Sequence, residues 1–111
     1  MKLKKEVIMS KGLKISLLEK EKVIGRGYLY IMKNELHKQP SLIGYLEDIY
    51  VGEKYRQKGY GKKIIQTLIE EARKQSCYKV ILTSRYGREK LHRWYEKFGF
   101  KDHGKEFRMD L

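Results

Sequence analysis

Two neighbouring stretches rich in apolar residues predict strands in the first third of the chain. Leu13 to Leu18, where apolar and polar residues mostly alternate, and Val23 to Met32 predict an antiparallel pair around Glu19-Lys20-Glu21-Lys22, although this turn lacks a strong glycine or asparagine signal. Glu6 to Met9 predicts a short strand ahead of this hairpin. Lys33 to Ser41 contains the only proline and predicts a loop, after which the β-branched run Leu42 to Val51 predicts the central strand.

The pattern changes to a helical period after this strand. Apolar residues recur every three or four positions from Tyr60 to Gln75 and predict a helix, whereas the short apolar run Lys79 to Thr83 predicts a buried strand. Arg88 to Phe98 predicts a second helix that ends at Gly99. A last strand is predicted by three apolar residues that alternate with polar ones: Phe107, Met109 and Leu111.

Composition indicates one small globular domain over residues 1–111. With 41% hydrophobic and 36% charged residues, the chain can bury one modest core and is not typical of disordered proteins. The single cysteine excludes an intramolecular disulfide and agrees with a reducing, cytoplasmic location. No apolar stretch approaches the roughly 20 residues of a membrane span, and the first residues lack the apolar region of a signal peptide. We therefore expect a cytoplasmic protein of mixed α/β (α+β) class.

The loop between the predicted central strand and the following helix carries the first candidate chemistry. It contains Arg56, Gly59 and Gly61. At the start of a helix, unpaired backbone N–H groups and the helix dipole attract anions, and glycines let a ligand approach the backbone closely. Neither the phosphate-loop pattern of nucleotide hydrolases nor the dinucleotide-binding glycine pattern fits. The loop therefore predicts another phosphate-bearing ligand, with a plain connection as the alternative.

The arrangement Arg56-x-x-Gly59-x-Gly61, between a strand and a helix, resembles the acetyl-coenzyme A loop of the GNAT superfamily of N-acetyltransferases. Three further blocks are similar to the family's central strand, next strand and late helix, in the family's order: Leu46 to Val51, Cys77 to Leu82 and Leu91 to Phe100. The resemblance implies the GNAT fold, in which helices flank a central, mixed and mostly antiparallel sheet. It also implies an acyltransferase that transfers an acetyl group from acetyl-coenzyme A to an amine.

The chain departs from the family in its first third. GNAT domains usually place two helices between their first and second strands, but here only a few residues separate Glu6 to Met9 from the hairpin. The first two family helices are therefore expected to be missing or shortened. Because those helices often wall the acceptor site, we expect that site to be open, or to be completed by the second subunit of a homodimer.

By the same resemblance, the cofactor binds the central strand and the glycine loop. The backbone of Ile49, Tyr50 and Val51 would bind the pantetheine arm, and the diphosphate would bind the loop residues Arg56, Gln57, Lys58, Gly59, Tyr60, Gly61 and Lys62. The family often has an asparagine before its late helix. This chain has Arg85 and Arg88 there, so Arg88 is a candidate phosphate ligand, with plain solvent exposure as the alternative.

Two carboxylates in the predicted central strand are candidate catalytic residues. An ammonium group must lose a proton before it attacks, and the resemblance nominates Glu47 as the base, with Asp48 orienting the loop or the substrate. Strand alternation predicts that Glu47 shares a face with Ile49 and Val51, and Asp48 with Tyr50, unless a bulge changes the register. Pairing of both carboxylates with the abundant lysines is the alternative.

Tyr95 is the candidate acid, because it matches the family tyrosine near the cofactor sulfur. With an ordinary pKa near 10, a tyrosine can protonate a departing thiolate at neutral pH. Packing alone is the alternative, since Leu91, Tyr95 and Phe98 share one face of the predicted helix. Direct acetyl transfer needs no covalent enzyme intermediate, so Cys77 is predicted to pack rather than react, and no metal site is predicted.

The net charge of +12 bears on the partners. Lysines around the glycine loop would attract an anionic cofactor. A basic nucleic-acid-binding module is the competing class, since nine tyrosines could stack on bases, but no nucleic-acid motif is present. The expected acceptor is the primary amine of a small molecule. Protein or peptide amines are an alternative, and two blocks are also similar to glucosamine-6-phosphate N-acetyltransferases: Glu47-Asp48-Ile49 and Cys77-Tyr78-Lys79.

Overall fold

The computed structural model describes residues 1–35 and 41–111. In this part of the chain the strands are β1 (Lys11–Glu19), β2 (Lys22–Lys33), β3 (Leu42–Val51) and β4 (Cys77–Ile81), and the α-helices are α1 (Tyr60–Lys74) and α2 (Glu89–Glu96). A 3₁₀ turn, Glu53–Tyr55, lies between β3 and α1. The hairpin, the central strand and both helices predicted from the sequence are present, and β3 has the predicted bounds.

The described strands form one sheet in the order β1-β2-β3-β4. β2 pairs antiparallel with both β1 and β3, whereas β4 is parallel to β3. A parallel pair needs a crossover connection, and α1 supplies it. The sheet is therefore mixed and mostly antiparallel, as the resemblance implied. No α-helix precedes α1 among the described residues, in agreement with the expected loss of the first two family helices.

The β1–β2 hairpin turns through two residues that are not glycine. Lys20 and Glu21 have φ angles of 48° and 65°. Left-handed conformations at both central positions are those of a type I′ turn, whose twist matches that of a hairpin. Non-glycine residues adopt this conformation at a steric cost. The pairing beyond the turn, which extends to Lys11 opposite Ile31, offsets that cost.

The hydrophobic core lies between α1 and one face of the sheet. Its buried residues come from β2, β3 and α1: Leu29, Ile31, Leu46, Ile64, Ile65, Leu68 and Ala72. Fully burying one large aliphatic side chain contributes about 1.5–3 kcal/mol. At Gly27 the helix approaches β2 so closely that an added Cβ would lie 2.8 Å from Cδ1 of Leu68. This packing fixes α1 on the sheet and thereby places the glycine loop at its start.

The opposite face of the sheet carries tyrosines and charged side chains. Because successive strand residues point to opposite faces, Tyr28 and Tyr30 lie on the side of β2 away from the buried Leu29 and Ile31. The Tyr28 and Tyr30 rings stack with centroids 6.0 Å apart, and Tyr30 is 41% exposed. This face is open to a ligand.

Two strand predictions are wrong. Residues 6–9 are exposed and form no strand, and neither do the last residues, where Phe107 and Met109 are 92% and 82% exposed and Leu111 is fully exposed. A sequence pattern is a local property, whereas a strand is stable only when it pairs with another strand. The first segment is a short apolar run and the last one alternates, but both lack a strand partner within the described residues.

Other elements differ in their bounds. β4 occupies Cys77–Ile81 rather than Lys79 to Thr83, and its side chains are half-buried or exposed rather than buried, because β3 is its only partner strand in the described residues. α1 ends at Lys74, one residue early, and α2 is shorter than predicted and is followed by a turn to Gly99, whose φ is 101°. Part of the predicted loop, residues 36–40, lies outside the described residues. Neither α1 nor α2 has the length and apolar composition needed to cross a bilayer.

Candidate active site

β3 and β4 separate halfway along β3. The last residue pair between them is Tyr45 with Ile81, and β4 ends there, whereas β3 continues to Val51. From Leu46 onwards, the described residues provide no strand partner on this edge of β3. Such an edge offers backbone N–H and C=O groups to an extended ligand. The predicted pantetheine positions, Ile49 to Val51, lie on it.

A β-bulge lies where the candidate carboxylates stand. Tyr28 pairs with Glu47 and Arg26 pairs with Tyr50, so two residues of β3 face the single residue Gly27 of β2. Asp48, inside the bulge, has a φ angle of 48°. A bulge inserts one extra residue and changes which face the following residues occupy.

The bulge overturns the simple alternation expected along β3. Leu46, before it, is 2% exposed, and Ile49 and Val51, after it, pack against the same core. Glu47 therefore lies on the opposite face from Ile49 and Val51, not with them. Glu47 and Asp48 together line the open face of the sheet.

A cavity of about 660 Å³ on this face brings Glu47 together with aromatic side chains. Its described lining residues are Ser10, Tyr28, Tyr30, Met32, Tyr45, Glu47 and Asp48. Asp48 is held by Arg26, whose Nε and Nη2 donate to the two carboxylate oxygens at 2.8 and 3.3 Å. Glu47 has no ion-pair partner among the described residues. The two carboxylates thus differ: Asp48 is bound to Arg26 at the bulge, whereas Glu47 lines the cavity without such an ion pair in the described structure.

Tyr45 was not among the candidates from sequence. Its hydroxyl lies 3.2 Å from Oγ1 of Thr83, beyond the end of β4. Burial is the main cause that raises the pKa of Tyr45, and nearby Glu47 raises it further, while Thr83 opposes the shift. The period of two along a strand could have identified Tyr45 from the sequence, since it precedes Glu47 by two residues and lies on the same face of β3.

The glycine loop ends in an open helix start. Gly59, with φ 83°, is the N-cap of α1, so it supplies no capping side chain, and the first turn contains no acidic residue. The Lys63 N–H donates to the Gly59 carbonyl at 3.1 Å. In the described part of the chain the backbone N–H groups of Tyr60, Gly61 and Lys62 have no protein acceptor. Because an anion would satisfy these donors, this end of α1 fits a diphosphate.

Arg56 ties this loop to the end of β3. Its Nε donates to the carbonyl of Val51 at 2.9 Å, and its guanidinium carbon lies 5.4 Å from the centroid of the Tyr50 ring. Gln57 has a φ angle of 62°, which turns the chain towards Gly59. Lys58 and Lys62 are exposed on either side of the helix start. The loop residues predicted for the diphosphate are therefore adjacent in space as well as in sequence.

α2 contributes an aromatic cluster beside the helix start. The Trp94 ring packs on Tyr95 and Phe98, with centroids 5.4 and 4.9 Å apart, and its ring carbons lie 3.6 Å from an ideal Cβ at Gly61. Burial raises the pKa of Tyr95, while the charge of Arg88 opposes the shift. Arg88 itself is exposed. Trp94 was not a candidate from sequence, because its nearness to Gly61 depends on how α2 packs.

Cys77 is placed in β4 to pack rather than to react. Cys77 is half-buried in β4, and burial raises the pKa of its thiol, which disfavours the reactive thiolate. Within residues 1–35 and 41–111 no group of three or more histidine, cysteine or acidic side chains could hold a metal ion.

The chain resembles known proteins over most of its length. The model of the acetyltransferase (GNAT) family matches residues 7–100. Glucosamine 6-phosphate N-acetyltransferase of Trypanosoma brucei brucei is 45% identical over 69 residues, which are 62% of this chain and 45% of that protein. The Candida albicans enzyme of the same name is 34% identical over 84 residues, 76% of this chain and 54% of that protein.

Solved structures agree with these relatives. The crystal structure of a Trypanosoma brucei acetyltransferase superposes with a TM-score of 0.80 at 33% identity, over 90% of this chain and 69% of that one. The chain spans about half the length of the curated relatives it matches.

Proposed function

Because the chain belongs to the GNAT family of acetyltransferases, we propose that it transfers an acetyl group from acetyl-coenzyme A to the primary amine of a small molecule. One observation carries the proposal: Glu47, with no ion-pair partner among the described residues, faces a cavity beside the free edge of β3. A carboxylate in that position can serve as a base for an amine that enters from the open face.

The residues present fit the cofactor. The free N–H groups at the start of α1 and the exposed Lys58 and Lys62 would hold its diphosphate, and the edge of β3 from Ile49 to Val51 would hold its pantetheine arm. Acetyl-coenzyme A, when bound, supplies the acetyl group as a thioester. Arg56 would keep the loop and the strand in a fixed relation through its bond to Val51.

Glu47 and Tyr95 would handle the protons. The Glu47 carboxylate would take a proton from the incoming ammonium group, directly or through a water, which frees the nitrogen lone pair to form the new C–N bond. Backbone N–H groups on the edge of β3 would stabilise the charge that develops on the acetyl oxygen. As the C–S bond breaks, the Tyr95 hydroxyl would give a proton to the sulfur. The Tyr95 hydroxyl, whose pKa is raised by burial, is protonated at neutral pH and therefore has a proton to donate.

An acetyl-transfer assay with a panel of amines tests the proposal. Free thiol would be measured with glucosamine 6-phosphate, spermidine, amino acids and short peptides, and acetyl-coenzyme A binding would be measured by calorimetry. We expect binding heat, and thiol release that depends on the amine. If saturating acetyl-coenzyme A gave no heat while an oligonucleotide raised the melting temperature, the nucleic-acid-binding class would replace this one.

Glucosamine 6-phosphate is the second candidate acceptor. It is the substrate in the names of the relatives, and the charged residues that line a second cavity of about 340 Å³ are three cations and one carboxylate: Lys22, Arg26, Lys54 and Glu53. The two cavities meet at the Arg26–Asp48 ion pair, so an acceptor could place its amine near Glu47 and its phosphate near these cations. Lys54→Gln should then raise the KM for glucosamine 6-phosphate but not for glucosamine, and Lys74→Gln, at the far end of α1, is the matched control.

A further inference from the structure

Tyr45 lies between the candidate base and the point where the two parallel strands separate. It forms the last residue pair between β3 and β4, with Ile81. Its hydroxyl meets Oγ1 of Thr83 at 3.2 Å, so a side-chain hydrogen bond spans the two strands where their backbone pairing ends. Tyr45 also lines the same cavity as Glu47.

The two side chains are close because of the strand period. Residues two apart on a strand lie on one face, roughly 7 Å apart along the chain, and the bulge begins only after Glu47. A tyrosine hydroxyl can reach a carboxylate over that separation. Both side chains line the same cavity, and after burial Glu47 is one of the groups that raise the pKa of Tyr45.

The direction of the hydrogen bonds follows from the donors available. An ionised carboxylate only accepts, whereas a tyrosine hydroxyl has one proton to donate. If Tyr45 donates to Glu47, its oxygen is left to accept the proton of the Thr83 hydroxyl. The chain of donors then runs from Thr83 through Tyr45 to Glu47. The directions of the pKa effects agree: Thr83 favours the ionised Tyr45, and Glu47 disfavours it.

We propose that Tyr45 is a positioning residue for Glu47: held by Thr83, it donates a hydrogen bond that aims the carboxylate into the cavity. This inference rests on the proposed function only for its kinetic consequence. Tyr28, Tyr30 and the Arg26–Asp48 ion pair surround Glu47 in and beside the cavity, and Glu106 acts on Tyr45 through its charge.

The activity-independent test is a titration of the Tyr45 hydroxyl by NMR, with tyrosine labelled at Cζ. Thr83→Val removes the donor and should move the midpoint to higher pH, whereas Glu47→Gln should move it towards the ordinary value. The Tyr45→Phe variant lacks the Tyr45 resonance and so assigns that resonance in the spectrum. If neither substitution shifted the titration midpoint of the Tyr45 hydroxyl, the proposal would be overturned, whether or not an acceptor amine has been found.

The kinetic test is acetyl transfer by Tyr45→Phe. Loss of the donor should lower kcat about three- to tenfold, while the KM for acetyl-coenzyme A stays near that of the wild type. Tyr86→Phe, at an exposed tyrosine outside the cavity, is the matched control. An unchanged kcat in the Tyr45→Phe enzyme would show that Tyr45 only packs. Absence of transfer by the wild type, together with the expected NMR shifts, would instead refute the proposed function and leave the hydrogen-bond chain intact.

Discussion

Replacing Gly61 with alanine should weaken cofactor binding without reducing the stability of the free protein. An ideal Cβ at Gly61 lies 3.6 Å from two ring carbons of Trp94 and 3.9 Å from Cγ2 of Val51. These are ordinary van der Waals distances, and Gly61 does not have a positive φ angle. The folded chain therefore accepts the methyl group without strain. Since alanine is favoured over glycine in a helix by about 0.5–1 kcal/mol, the free protein should keep or slightly increase its free energy of unfolding.

The same methyl group should weaken cofactor binding. It would lie in the crevice between Val51 and Trp94, beside the free N–H groups that we assign to the diphosphate. Loss of one hydrogen bond to a charged group costs about 1.5–3 kcal/mol, which raises the Kd roughly 10- to 100-fold. We therefore expect much weaker binding by a protein that is at least as stable as the wild type.

Two measurements on Gly61→Ala check this expectation: calorimetry with acetyl-coenzyme A, and urea unfolding without it. Gly104→Ala is the control, because an added Cβ there meets no atom within 4 Å and the residue lies outside the crevice. Unchanged affinity in Gly61→Ala would refute the placement of the diphosphate at the start of α1. A large loss of stability would refute the packing argument instead.

Three further outcomes are expected. Glu47→Gln should lower kcat about 100-fold or more, the usual size of general-base catalysis, with the Kd of acetyl-coenzyme A unchanged; thiol release at the wild-type rate would remove Glu47 from the base role. Tyr95→Phe should slow thiolate departure while leaving acetyl-coenzyme A affinity near that of the wild type, and an unaffected kcat would mean that Tyr95 only packs. Burial raises the pKa of Cys77, Tyr45 and Tyr95, so the unfolded chain loses these protons first as the pH rises. The contribution of these groups to the free energy of unfolding should be complete below about pH 8.5 and should fall above it. A urea midpoint that rises between pH 8 and 10 would contradict this.

The sequence was sufficient to predict the elements whose signal is local. The apolar residues Ile64, Ile65, Leu68 and Ala72 repeat with the helical period and form the buried face of α1. The β-branched run Leu42–Val51 matches β3 at both ends. The glycine loop could be located between them because both adjoining elements, a strand end and a helix start, have local signals.

The strand predictions at the two ends of the chain show where local reasoning stops. Phe107 and Leu111 alternate with polar residues as a strand does, yet in the described structure they face solvent. A period of two tells which side chains would share a face. It does not show whether a partner strand is within reach, because pairing depends on residues far away in the sequence.

In the candidate site, too, some features could be predicted from the sequence and others depend on the tertiary structure. The identities of Glu47, Asp48 and Tyr95 could be read from the chain, but the bulge that puts Ile49 and Val51 on the core face, opposite Glu47, depends on the register between β2 and β3. The Tyr45–Thr83 hydrogen bond joins residues 38 positions apart, and Trp94 meets Gly61 only because α2 packs beside the start of α1. Sequence periodicity determines which residues share a face of one element. Register and packing, which arise when separate elements share one core, decide which of those faces meet.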